Sequence, residues 1–142
     1  MKIRLLTAED YDALYALWTQ SDGVGLRAQD DSREGIARYL RRNPNTCFAA
    51  EDEDGRLLGA ILSGHDGRRG VIGHTAVRQD ARGRGVGRAL VQAVEEAMRR
   101  EGILKLTLVA FTKNKSGNAF WEKMGYTVRE DLTYRNKPLV QE

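Results

Sequence analysis

The sequence holds few of the residues that carry covalent, metal or redox chemistry: 142 residues include one cysteine, two histidines and two prolines. A single cysteine excludes an internal disulfide, and a chain with no disulfide framework is expected in a reducing, cytoplasmic compartment. Cys47 stands in the apolar run Cys47-Phe48-Ala49-Ala50, where a lone thiol packs as a small hydrophobe. His65 and His74 lie nine residues apart, far in sequence from that cysteine, and make no recognisable ligand set, so no metal is expected. Long apolar runs are missing too. Met1 leads straight into Lys2-Ile3-Arg4-Leu5-Leu6 with neither a signal-peptide core nor a membrane span, so no membrane partner is expected. Net charge is small, +3 from 23 basic and 20 acidic residues, too little to indicate a nucleic-acid partner. The length suits one domain, 1–142, with a core large enough to need no staples.

What is present is a clear order of elements. Ile3 to Leu6 reads as a first strand, followed by Thr7 as a helix cap and an aromatic face of Tyr11, Leu14, Tyr15 and Trp18. Residues 19 to 30 have no period. Asp31 or Ser32 opens a second helix carrying Ile36, Tyr39 and Leu40, which stops before Asn43-Pro44. Strands over Thr46 to Ala50, Leu57 to Ser63 and Val71 to Val77, joined by the turns Glu51-Asp52-Glu53-Asp54-Gly55 and His65 to Gly70, form an antiparallel meander. Val86, Leu90, Val94, Ala97 and Met98 mark a long amphipathic helix ending at Gly102. Leu104 to Ala110 alternates as a strand made parallel to Val71–Val77 by the intervening helix. A short helix around Gly117 to Met124, closed by Gly125, precedes one or two closing strands between Tyr126 and Arg135. The class is α/β, an α+β mixed sheet.

The densest signal is Arg82-Gly83-Arg84-Gly85-Val86-Gly87-Arg88, at the junction of a strand and the long helix. Three alternate glycines let backbone amides face an anion, and the helix start adds its unpaired donors and dipole. From Asp66 to Arg88 six arginines face two aspartates, so positive charge gathers around this loop. A phosphate or pyrophosphate is the expected guest. The triphosphate pattern Gly-x-x-x-x-Gly-Lys is absent, and Gly83-x-Gly85 is followed three residues later by Arg88, where a dinucleotide fingerprint needs glycine. The basic cluster lacks a recognition helix or aromatic platform, so no nucleic acid is expected.

Arg82-x-x-Gly85-x-Gly87 at a strand-to-helix junction, together with Asn114-Lys115-Ser116-Gly117-Asn118-Ala119-Phe120-Trp121-Glu122-Lys123-Met124-Gly125-Tyr126, resembles the two cofactor-side segments of the GCN5-related N-acetyltransferase (GNAT) superfamily. The element order resembles that family over nearly the whole chain. The resemblance implies an antiparallel meander followed by a β-α-β crossover and a splayed parallel strand pair. It implies acetyl-coenzyme A (acetyl-CoA) as donor, a primary amine of a small molecule or peptide as acceptor, and allows a homodimer. Ala76 and Val77 would contact the pantetheine arm; the backbone from Gly83 through Arg84, Gly85, Val86 and Gly87 to Arg88, with Arg82, would hold the pyrophosphate. Asn114, Gly117, Phe120 and Trp121 would lie on the second cofactor-side segment. Trp121 stands where many members carry a tyrosine that protonates the leaving thiolate, and indole is a poor donor for that step. A thiolate needs little help to leave, since a thiol ionises near about 8.5.

In direct transfer, the amide of Val77 would stabilise the oxyanion, and some group must take a proton from the amine. His74, three residues before Val77, suits that task directly or through water, imidazole being the side chain that changes charge near neutrality. Tyr134 is an alternative acid. Trp18, His65 and Asp66 are acceptor-side candidates, and Asp22, Asp30, Asp31 and Asp66 are carboxylates that loop geometry could bring to an ammonium. A CoA-binding module without turnover is the alternative function.

Overall fold

The computed structural model describes residues 1–141. Five strands form one sheet in the order β1-β2-β3-β4-β5: β1 Lys2–Leu5, β2 Phe48–Glu51, β3 Leu57–His65, β4 Gly70–Val77 and β5 Leu106–Leu108. The first four are antiparallel in succession; β5 runs parallel to β4. Helix α3, Val86–Arg100, makes the crossover between β4 and β5 that parallel pairing requires. Helices α1, Tyr11–Thr19, and α2, Arg33–Arg42, fill the connection from β1 to β2.

The sheet is covered on both faces. Leu14, Leu17 and Trp18 of α1 and Ile36 and Leu40 of α2 share one buried cluster with Ala49, Ala60, Leu62 and Ala76 of the sheet. Tyr15 points outward at 45% exposure, so the buried stripe of α1 is turned toward Leu17 relative to the aromatic face expected from the sequence. On the other face α3 buries Val86, Leu90, Val91, Val94, Ala97 and Met98, the valine, leucine and methionine side chains contributing about 1.5–3 kcal/mol each. Gly59 permits this approach: a Cβ there would lie 3.1 Å from Val86 and 3.2 Å from Leu90.

Local capping explains the helix limits. Ser32 Oγ accepts from Gly35 N at 3.0 Å and starts α2, so of the two candidates Ser32 is the cap and Asp31 is released for another role. Gly102, φ +79°, ends α3: Ile103 N donates to Met98 O at 2.9 Å and Gly102 N to Arg99 O at 3.0 Å.

The chain divides into two compact units, Met1–Val109 and one beginning at Ala110. The second unit contains α4, Lys115–Lys123, closed by Gly125 as its sequence indicates: Tyr126 N donates to Trp121 O at 2.9 Å. The closing strands expected between Tyr126 and Arg135 are not formed among the described residues. There the chain folds locally, Arg129 holding Asp131 through bonds of 2.9 and 2.8 Å, and no ladder recruits its apolar positions. The Leu104–Ala110 strand is likewise reduced to Leu106–Leu108.

Candidate active site

Strands β4 and β5 stay together only over Gly70↔Leu106, Val71↔Thr107 and Ile72↔Leu108. From Gly73 to Val77, β4 keeps β3 on one side and, among the described residues, has no strand on the other. The pairing phase shows which backbone groups face that opening. Arg78 N donates to Leu58 O at 2.8 Å, making Arg78–Leu58 a hydrogen-bonded pair; by alternation Ala76–Ala60 is another and Val77–Gly59 is not. The N–H of Val77 is therefore directed away from β3, into the splay.

The glycine-arginine segment follows at the same end of β4. Gly83 and Gly85 hold φ +76° and +81°, in the left-handed region, and no atom lies within 4 Å of a Cβ built on either. Their need for glycine is conformational rather than a matter of crowding. Gly85 is the N-cap of α3 and has no side chain to offer, and the first bond of that helix runs from Ala89 N to Gly85 O at 3.0 Å. The amides before it form an uncapped donor set at a helix start. Arg78 is neutralised by Asp80 at 2.8 Å. Arg84 donates to Asp80 O at 3.0 Å and Arg82 to Val77 O at 3.5 Å, so two of the loop arginines brace its backbone. Arg82, Arg84 and Arg88 are exposed. A group bearing phosphates fits this cradle, with the backbone from Gly83 to Arg88 and the exposed guanidinium groups as its holders.

A second cluster lies on the opposite face from α3. The register of β3 and β4 shifts between Ile61↔Thr75 and Ser63↔Ile72, so β4 spends one extra residue at Gly73-His74. Gly70 faces Met98 of α3, whereas Ala76, six residues on, belongs to the cluster under α1 and α2. Strict alternation would leave both on one face; the bulge turns the later residues over. His74 is thereby brought against Trp18, ring centroids 5.0 Å apart at 69°. His74 Nε2 meets Asp31 Oδ1 at 2.9 Å. Asp31 is only 7% exposed, and its other oxygen accepts from Arg27 N at 2.8 Å. Its carbonyl accepts from Tyr11 Oη at 2.6 Å.

His65 and Asp66 sit elsewhere. They occupy the β3–β4 turn, at the far end of β4 from the glycine loop, roughly 20 Å away by strand rise. His65 Nδ1 accepts from Gly67 N at 3.0 Å, leaving Nε2 to bond Glu101 Oε1 at 2.7 Å. The amides of Arg69 and Arg68 hold the Asp66 carboxyl below the usual carboxylate range. Both residues are committed to closing that turn and tying it to the end of α3. Trp18 is not an open cleft wall: it is 1% exposed, and its Nε1 is a buried polar atom without a partner. Cys47 is also sealed, its Sγ donating to Ser63 O at 3.2 Å, and burial pushes the thiol up to about 11.

In the second unit Asn114 Oδ1 accepts from Gly117 N at 3.1 Å and caps α4. A Cβ on Gly117 would meet that Asn114 side chain, which would have to shift to admit it. Trp121 packs edge-on to Phe120 at 5.0 Å and to Tyr126 at 5.4 Å. Tyr134 is 69% exposed.

Within the first unit the structure thus gathers Ala76, Val77 and the segment from Arg82 to Arg88 at one strand end, with His74 on the same strand. Asp31 is the residue that sequence reasoning underrated. Its signal is that Asp31 precedes a serine that caps the helix by itself, so the aspartate is not needed as the cap.

The Acetyltransferase (GNAT) family model matches residues 11–126. The chain is 30% identical over 142 residues to an acetyltransferase of Sodalis glossinidius, covering 100% of this chain and 98% of the relative. The PaiA N-acetyltransferase of Thermoplasma acidophilum, solved with coenzyme A, has a TM-score of 0.78 at 20% identity, covering 92% of each chain. A ribosomal-protein-alanine N-acetyltransferase of Brucella melitensis has a TM-score of 0.72 at 20% identity, covering 96% of this chain and 98% of that one. With the meander, the crossover helix and the parallel pair that parts beside a glycine-rich helix start, these matches establish that the chain belongs to the GNAT family of acetyltransferases.

Proposed function

We propose that this protein transfers the acetyl group of acetyl-CoA directly to a primary amine of a small molecule or a peptide, with 1–142 acting as one acetyltransferase domain in the cytoplasm. The observation that carries the reading is the free N–H of Val77 directed into the splay beside an uncapped, glycine-bearing helix start. Acetyl-CoA would supply an activated thioester. Its phosphates would be held by the backbone from Gly83 to Arg88 and by Arg82, Arg84 and Arg88. The Val77 amide is placed to donate to a carbonyl oxygen in the opening; a well-aligned donor of this kind contributes about 3 kcal/mol.

His74 is the base in this reading. Its Nε2 is engaged by Asp31, and Nδ1 has no partner among the described residues, so Nδ1 is the atom that takes the ammonium proton, directly or through water. Cys47 takes no part: a buried, protonated thiol is a poor nucleophile, which favours direct transfer over an acetyl-enzyme. The fold shared with an alanine N-acetyltransferase makes peptide amino termini one acceptor class to include alongside small amines.

The test is an acceptor screen with purified protein that reads free CoA and acetylated product mass together. Stoichiometric release of CoA and formation of product with at least one amine is the expected result. CoA binding without acceptor-dependent release across amines and peptides supports instead a CoA-binding module. Stable label on Cys47 from acetyl-CoA alone would contradict direct transfer.

A further inference from the structure

Asp31 lies forty-three residues from His74 in sequence and is held on every polar atom. One carboxylate oxygen accepts from the backbone of Arg27 at 2.8 Å, the other meets His74 Nε2 at 2.9 Å, its N–H donates to Arg27 O at 2.9 Å, and its carbonyl takes the Tyr11 hydroxyl at 2.6 Å. Gly35 allows the turn to sit this low. A Cβ at Gly35 would lie 2.6 Å from Gln29 O and would overlap Asp30 O outright. The segment before α2 is thus built to deliver one carboxylate, 7% exposed, to the ring that the β4 bulge turns toward it. Such burial of an acidic group needs a bonded partner for each oxygen, and these are Arg27 N and His74 Nε2.

From this arrangement we infer that Asp31 is the positioning residue of the reaction: it holds His74 in the tautomer protonated at Nε2 and so leaves Nδ1 as the proton acceptor. The inference rests on the reading of His74 as base. Ionised carboxylate oxygens accept and do not donate, so Asp31 can be satisfied by His74 only through an Nε2–H, and the lone pair of a neutral ring then resides on Nδ1. Asparagine at this site has one acceptor for two donors. The Arg27 amide is fixed in the backbone and claims the Oδ, so the Nδ2 group faces His74 and donates to Nε2. The ring must then carry its proton on Nδ1, the atom from which the amine would have been served.

The experiment uses the full chain. Long-range 15N–1H spectra at about pH 8 are expected to show His74 protonated at Nε2, and Asp31→Asn is expected to move that proton to Nδ1. The same variant should lower kcat about 100-fold while the KM for acetyl-CoA stays within about twofold, a split that general collapse of the fold would not give. Protonation of Nδ1 in the unaltered protein overturns the inference and needs no variant to fold. Asp31→Asn with the original tautomer and turnover overturns it as well, and leaves the base reading standing if His74→Ala is slow. Turnover that survives His74→Ala removes the base reading itself, and that outcome is separate from the other two.

Discussion

The two halves of the candidate site are made of different material. At the end of β4 and the start of α3 the working groups are main-chain amides: the Val77 N–H and the uncapped donors after Gly83, placed by backbone torsion angles. Under α1 and α2 the groups proposed to act are side chains, His74 and Asp31, placed by a bulge and a buried turn. A backbone site tolerates many side chains and depends on a few glycines. A side-chain site fails at a single atom and depends on packing remote from it.

Three substitutions probe that contrast. His74→Ala should have the largest effect, lowering kcat by about 10²- to 10⁴-fold with little change in the KM for acetyl-CoA, as steady-state assays would show. Equal losses in both parameters would mean that the two halves are not separable. Gly85→Val should act in the opposite sense. Forcing a β-branched residue to φ +81° costs about 1–2 kcal/mol, so the KM for acetyl-CoA should rise about tenfold while kcat is held within about twofold. Isothermal titration with CoA gives an independent measure. Ser32→Ala should be mildest, removing the cap of α2 at a cost of about 1 kcal/mol in thermal or urea unfolding, with donor affinity unchanged.

The glycine-arginine loop and the helix start behind it were legible because their information is local. Arg82 to Arg88 occupies one strand-to-helix junction, and the glycines announce their own torsion angles. The meander and α3 were legible for the same reason, their periods being written along consecutive residues. The acceptor half was not. Asp31 and His74 meet only after β4 has been placed against the helical layer, and the bulge that turns His74 has no sequence mark beyond a glycine at 73. The segment from Tyr126 to Arg135 misled in the converse way: its apolar positions suit a strand, but a strand exists only with a partner, and none pairs with it among the described residues. His65 and Asp66 looked like acceptor-side groups by proximity in sequence to β4, yet they lie at the end of that strand remote from the loop.

The bulge at Gly73-His74 coincides with the last paired position of the parallel strands, Ile72↔Leu108. One added residue therefore sets the face on which the histidine emerges, next to the point where the parallel strands part. Such an insertion cannot be tuned by degrees, because a strand has only two faces and residues come in whole numbers. Ironed flat at its present length, β4 would put His74 on the α3 side with Gly70 and Ile72; deleting Gly73 would instead remove the bulge and leave His74 on the face it now occupies. For anyone redesigning this scaffold, the bulge and the residue count of β4 are one setting: a change in either alone, without the other, moves His74 to the opposite face of the sheet.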